Sequence, residues 1–477
     1  MTRRIPAIVI ILGALVALVV VDLDPPTEVP PVFGLVTASP MPSADTADAL
    51  SSTWFCAAGG ASDDEGTATS VIVANAGATD RTGTVAWHIG EATPTIVPVE
   101  VPALGSVEVD AADVVSAGVV SAVVELDGGE VGVEHRLRTE RGVDVAPCAS
   151  SASPTWYFAN GTTARDASQR LVLFNPFADD AVIDLSFSTS EGRDEPAALQ
   201  GFPIPSGATR VVELTEFVRR RDVTATSVVA RRGRIVVDRV QSFDGSEERT
   251  GLALALGAPA PAEVWTFPEG YYTAGLTERW HLYNPSDVEA LASLEITPGD
   301  GTLPEPVDLT IPPFGQVTVE AAELGRVEPN VGHYSTVRSL DGVAIVAERS
   351  LDARAPAPRQ GWASALGSPL TARSWLLPAG GPTEELDQFV VVVNTGAEPV
   401  TVDIVGLVGG QRLDIEGLQG LELGPAEREV VRLGNRIERS PLPILVEASG
   451  PVVVERNLYQ VGPDLDGVSS VLGIPLA

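Results

Sequence analysis

Four acidic–basic dipeptides are the residues of this chain whose types and spacing invite chemistry: Glu134-His135, Asp238-Arg239, Glu348-Arg349 and Glu455-Arg456. A repeated arginine could hold a ligand, and a carboxylate beside a base could move protons. The first dipeptide argues against catalysis, because His135 takes the basic slot with Arg136 next to it. Such drift is what a structural position tolerates. All four lie in apolar stretches that read as strands, where adjacent side chains face opposite ways. The arginine is therefore expected to reach over the end of its own domain and bond loop carbonyls.

No other residue pattern carries a reaction. The histidines, at 88, 135, 281 and 333, lack metal-ligand spacing. Acidic loops at Asp63-Asp64-Glu65, Glu384-Glu385 and Asp464-Leu465-Asp466-Gly467 offer oxygen ligands for calcium but match no known loop. The chain contains no lysine, which removes Schiff-base and P-loop chemistry. No Gly-x-Ser-x-Gly is present, so a hydrolase would need a dispersed pair of carboxylates. The reading is non-enzymatic, with no catalytic, cofactor-binding or metal residue and no cofactor. Asn160-Gly161-Thr162 fits the glycosylation pattern, a common chance match.

The elements that position these residues repeat. Trp54, Trp156, Trp265 and Trp375 each open a unit, spaced by 102, 109 and 110 residues. Asn75, Asn175, Asn284 and Asn394 each end the apolar run that follows. A fixed period marks one structural unit copied in tandem. Within the third unit Val307, Leu309 and Ile311 alternate with polar residues, as do Val317, Val319 and Ala321, giving the two-residue period of strands. Asp341-Gly342 predicts a closing hairpin between Tyr334–Ser339 and Val343–Leu351. Gly128-Gly129, Arg232-Gly233 and Ser449-Gly450 take the same slot. The tryptophans are expected to plug cores. The asparagines are expected to bond the backbone of local turns. Arg239, Arg349 and Arg456 complete the structural set.

The fold class is thus all-β. A single N-terminal transmembrane helix precedes four tandem immunoglobulin-like sandwiches. A closed, propeller-like ring of repeats is the alternative. The divisions are 1–21 for a short cytoplasmic N-terminus and signal anchor, and 22–50 for a Pro-rich stalk. The repeats span 51–150, 151–260, 261–369 and 370–477. Arg3 and Arg4 before the apolar run Ile5–Val21 form an export signal. No small-residue cleavage site follows directly, so the segment is read as an uncleaved anchor with the bulk outside the cell membrane. Secretion after cleavage is the alternative. Export predicts that Cys56 and Cys148, 92 residues apart, are bridged.

A formal charge of −33, from 64 acidic and 31 basic side chains, excludes nucleic acid as a partner. An envelope polymer or a membrane protein remains. One basic patch, Arg219-Arg220-Arg221 with Arg231, Arg232 and Arg234, is read as a solvated edge strand, or as a contact for a neighbouring repeat or an anionic polymer.

Pro154-Thr155-Trp156-Tyr157-Phe158-Ala159-Asn160-Gly161-Thr162, Leu171–Pro176, Ile204–Gly207 and Val237-Asp238-Arg239 resemble a tandem unit of bacterial surface proteins. From about residue 51 onward the chain is similar to an actinobacterial exported family of unknown function. The resemblance implies an envelope scaffold or binding protein, or an accessory subunit of a glycan-synthesis or export machine. Repeat 1 departs most, with Cys56 in the slot of Phe158 and Phe267 and no proline after Asn75.

Overall fold

A computed structural model describes residues 39–476, apart from 65, 300, 303, 358 and 461–466. The expected anchor and most of the stalk lie outside them. No helix among the described residues is long and apolar enough to cross a membrane.

Each repeat is built from two packed layers of antiparallel strands, and repeat 3, with four strands in each sheet, shows the plan. One sheet runs Val264–Phe267, His333–Ser339, Ala290–Pro298, Val307–Ile311. The facing sheet runs Gln316–Glu320, Leu276–Tyr283, Val346–Ala353, Gly361–Leu366. Numbered along the repeat, the orders are 1-6-3-4 and 5-2-7-8. Repeat 1 follows them, and repeats 2 and 4 do so with the fourth strand split in two, as Gly192–Asp194 with Phe202–Ile204 and Gln411–Asp414 with Leu421–Leu423. The immunoglobulin expectation is corrected here. In that fold the first strand joins the sheet of the second, whereas here it pairs with the sixth.

The expected Asp-Gly hairpin is also corrected. Strands His333–Ser339 and Val346–Ala353 belong to opposite sheets, so Asp341-Gly342 carries the chain across the sandwich. Gly342 adopts φ +81°, a value that suits either turn. In repeat 4 no turn is made at all. Ile444–Gln460 runs as one strand that pairs in both sheets.

The repeated residues hold the sandwiches together. All four repeat tryptophans are buried. The indole N–H of Trp156 donates to Ile235 O at 2.8 Å, that of Trp265 to Ile345 O at 2.8 Å, and that of Trp375 to Val452 O at 3.1 Å. The asparagines do more than cap local turns. Asn284 Nδ2 donates to Val288 O at 2.6 Å and also to Ile311 O and Pro312 O at 3.2 Å, while Oδ1 accepts from Ser286 N. One side chain thereby pins a turn of one sheet to the end of another strand. Asn75, Asn175 and Asn394 make the same set. Asn75, followed by Ala76, and Asn394, followed by Thr395, need no proline to do so.

Cys56 and Cys148 are bridged. The bridge fills a slot that the other repeats fill by packing. In repeats 2 and 3 an aromatic ring covers a glycine: Cβ atoms added to Gly257 and Gly367 would lie 2.8 Å from Phe158 Cζ and Phe267 Cζ. In repeat 4 Leu377 covers Gly473 at 3.2 Å. Where ring and glycine are absent, two sulfurs occupy the space.

The sandwiches are not strung out. No sheet closes on itself, but the four eighth strands, Gly142–Pro147, Thr250–Leu256, Gly361–Leu366 and Val468–Leu472, pack against one another in cyclic order. The ring alternative describes this arrangement of units, although each unit is a full sandwich and not a blade. Backbones come close at these axial strands. A Cβ on Gly251 would sit 2.7 Å from Trp362 N of the next repeat, and both Gly251 and Gly361 take positive φ. The axis retains a cavity of only about 60 Å³, lined by these strands and by Pro40-Met41-Pro42. The last part of the expected stalk is thus built into the ring. Met41 and Ala44 are buried, and Ala44 N donates to Pro475 O at 3.0 Å.

Replacing Asn284 with Ala removes the donor for three carbonyls in a buried corner. At about 1 kcal/mol per bond, the loss should be roughly 2–4 kcal/mol, read as a fall in urea-unfolding stability.

Candidate functional site: charged joints between the repeats

The dipeptides lie on the seventh strands, at the ring's interior. Because adjacent residues of a strand face opposite ways, each dipeptide serves two neighbours. The base of one repeat meets the acid of the next. Arg239 Nη2 donates to Glu348 Oε2 at 2.8 Å and Nη1 to Oε1 at 3.2 Å. Arg349 Nη2 donates to Glu455 Oε1 at 2.6 Å. Arg456 of the last repeat donates to Glu134 of the first at 2.9 and 3.1 Å. His135 Nε2 lies 3.3 Å from Asp238 Oδ2 and completes the cycle. All eight residues are at most 2 % exposed.

Each carboxylate also reads the backbone of the preceding repeat, just past its first strand. Asp238 Oδ2 accepts from Ala57 N at 3.0 Å and Ala58 N at 2.7 Å. Glu348 Oε1 accepts from Ala159 N at 2.7 Å and Asn160 N at 3.3 Å. In repeats 3 and 4 the first of these positions is Pro268 or Pro378, which has no N–H to give. Glu455 and Glu134 then accept one backbone bond each, from Glu269 and Ala379. Ser470 makes up the difference for Glu455, donating to it while accepting from Arg349 at 2.8 Å.

The expected bond from arginine to its own loop exists: Arg239 donates to Asn160 O, and Arg456 to Ala379 O. The partner in the next repeat is the part that sequence reasoning missed. Asn160 is no surface glycosylation site. It is 3 % exposed and donates to Ser364 Oγ at 2.9 Å inside the joint.

Each joint has an apolar layer beside its charges. Leu137, Ala146, Val172, Val240 and Leu254 pack between repeats 1 and 2. Ala167, Phe243, Ala253 and Trp362 pack between 2 and 3. Leu351, Ala363 and Val468 pack between 3 and 4, and Ile72, Val145 and Leu458 between 4 and 1.

The electrostatics follow from burial. For Arg349, burial works against the cation, but the carboxylates of Glu455, Glu278 and Glu269 outweigh it and raise its pKa. His281 is held neutral by burial, with Arg279 and Arg239 assisting, its pKa brought down to about 3. Burial pushes the Asp144 carboxyl up to about 7, against bonds from Ser469, Leu254 N and Val145 N.

The remaining sequence candidates scatter. His88 faces Gly207 O at 3.2 Å, and His333 lies 2.9 Å from Glu278 in a buried pair inside repeat 3. Cys56, His135 and Cys148 converge within 4.8 Å, but the two sulfurs are bonded to each other. The basic patch is not an edge strand. Arg219–Arg221 follow a helical turn, Leu214–Phe217, and Arg231 and Arg232 end an interior strand. Arg221 pairs with Glu191 and Arg231 with Asp184, so part of the patch is neutralised within repeat 2.

Much of the joint between repeats 1 and 2 lies inside a stretch that matches a family model. Residues 129–263 match a family of unknown function, DUF5719. The match carries two consecutive dipeptides, Glu134-His135 and Asp238-Arg239, and so includes both sides of a joint. No curated protein matches the chain. Among solved structures, Thermotoga maritima 1070 is similar at 20 % identity over 23 % of this chain and 94 % of its own, with a TM-score of 0.21. The Anabaena sensory rhodopsin transducer is similar at 22 % identity over 19 % of this chain and 83 % of its own, with a TM-score of 0.17.

Two outcomes follow. Glu348→Ala strands the buried Arg239 cation and should cost about 3–5 kcal/mol, whereas Arg239→Met with Glu348→Leu should recover most of it; urea unfolding of the three proteins decides. Asp144 binds its proton more tightly when folded than the ordinary carboxyl near pH 4. Between about pH 4 and pH 7 the folded state therefore keeps a proton that the unfolded state has released, and stability falls as pH rises. Asp144→Asn should flatten that slope in thermal melts and gain on the parent protein above pH 7.

Proposed function

We propose that this protein is a non-enzymatic, extracytoplasmic envelope scaffold that binds its partners around a rigid hub. The observation that carries the reading is the closed cycle of buried joints. Every residue of the repeated charged set is committed to holding neighbouring repeats, and none of the eight is exposed enough to meet a substrate. Groups buried and paired in this way support architecture and specificity of assembly. What remains for partners is the outside of the ring and the clefts between repeats.

The bridge between Cys56 and Cys148 fits an oxidising compartment. The basic, then apolar, N-terminal sequence fits a membrane tether. An envelope polymer or a membrane protein is the partner class. An accessory subunit of a glycan-building machine is the special case in which that partner is an enzyme.

Full-length protein purified from solubilised membranes, with mass spectrometry of its partners and its own N-terminus, tests the reading. Recovery of envelope polymer by a chain that retains Ile5–Val21 is the expected outcome. A stoichiometric membrane enzyme would replace the free-standing scaffold by the accessory subunit. A chain starting beyond Val21 would remove the tether.

A further inference from the structure

The repeat symmetry supplies a background against which a specialised joint stands out. At the axial end of each joint, the residue after the strand-opening glycine is Val143, Leu252, Trp362 or Val468. Across from that glycine sit Thr139, Phe243, Ala353 and Gln460 in turn. At this axial end, among the described residues, only the joint between repeats 2 and 3 brings two aromatic rings together, Phe243 and Trp362, with centroids 4.9 Å apart.

Beside that pair lies a cleft of about 520 Å³ between the two repeats. This is within the usual range for small-ligand sites. Its lining is polar: Asn160, Arg249, Arg279, His281 and Arg354 around Trp362. The arginines are held from behind. Arg249 is gripped by Asp166 through two N–H groups and stacks 4.5 Å from the Phe243 centroid. Arg279 donates to Glu320 at 2.9 Å, and Arg354 to Asp352 at 3.0 Å. A guanidinium has five donors in a fixed fork, so each retains donors beyond those its carboxylate takes. His281 adds no charge. Its ring nitrogens face Thr318 Oγ1 and Ser350 Oγ. The Trp362 indole N–H is buried and has no partner among the described residues.

The arginine donors set the ligand class. Arg165 joins the other three arginines on the lining, against Asp166, Asp222 and Glu247. Glu320 and Asp352 behind Arg279 and Arg354 bring the acids around these four cations to five, so an anion would be met by the guanidinium N–H groups left over and by Arg165. Arg165 is exposed and has no carboxylate partner among the described residues. Exposed Arg219 and Arg220 stand in the loop that leads to Asp222, where the Arg220 N–H donates to Thr163 O at 3.0 Å. Fixed guanidinium forks match carboxylates in a bidentate manner. The many remaining polar groups suit hydroxyls.

We infer that the cleft between repeats 2 and 3 binds an acidic oligosaccharide, its carboxylates on Arg165, Arg249 and Arg354 and its hydroxyls on the remaining polar lining. The inference rests on the binding-scaffold reading and gives it a ligand class. The test uses two probes that differ only in their C6 carboxylates, the cellouronate trimer and cellotriose, titrated calorimetrically into the full-length protein. Saturable binding of the acidic trimer, with cellotriose at least tenfold weaker and the trimer recovered intact, is expected. Arg165→Glu, an exposed change, should weaken binding of the trimer at least tenfold with an unchanged melting temperature, and Arg354→Gln should weaken it similarly. Equal binding of the two sugars, binding indifferent to both substitutions, or no heat with either probe overturns the inference. Cleavage of the trimer would replace a binding site by a hydrolytic one. Capture of envelope polymer by the Arg165→Glu protein would leave the scaffold reading standing while the cleft assignment fell.

Discussion

The structure depends on a simple geometric fact about extended backbone: consecutive side chains leave a strand on opposite sides. An acid followed directly by a base therefore cannot form one contact. It must form two, in opposite directions. Placed once in each of four repeats, the dipeptide ties every repeat to the one before and the one after, and Arg456 with Glu134 joins the last to the first. The backbone N–H groups past each first strand then satisfy the carboxylates further. Buried charge of this kind is costly when incomplete. The cycle leaves no terminal dipeptide with a missing partner, which an open string of four repeats would.

Much of this was legible in the residues. The period, the core tryptophans and the turn asparagines were readable because each acts inside its own unit, over distances that a single repeat spans. The disulfide was readable from the cysteine count and the basic, then apolar, N-terminal sequence. The direction of the ion pairs was not. Each arginine has candidate acids in its own repeat and in every other, and a periodic sequence is degenerate between those pairings. The glycines Gly251 and Gly361 carried a usable signal, since they recur at the repeat spacing. Their reason lies in the neighbouring repeat, where no backbone room exists for a side chain. Asp341-Gly342 misled because a positive-φ turn serves equally well to reverse a strand within a sheet or to pass it to the other sheet.

The departures of repeat 1 form a consistent set. Cysteines replace a covering ring and its glycine, and the base beside them shortens from arginine to histidine. Its partner Asp238 is shorter than the glutamates elsewhere. In repeat 2, Arg239 lies 5.3 Å from the Phe158 ring; in repeat 1, His135 Nδ1 lies 3.3 Å from Cys148 Sγ. The plug and the base above it have changed together, and the joint survives.

Four copies on one chain differ from four copies of one chain. A ring assembled from identical subunits must carry every substitution at all of its interfaces at once, because symmetry repeats it. Covalent duplication lifts that constraint. One interface here uses a histidine and a disulfide, and another holds two aromatic rings and a cluster of arginines, while the remaining two keep the plainer plan. The architecture retains the mutual support of a symmetric assembly and lets each interface diverge by itself, so asymmetry can arise at a single position without taxing the other three.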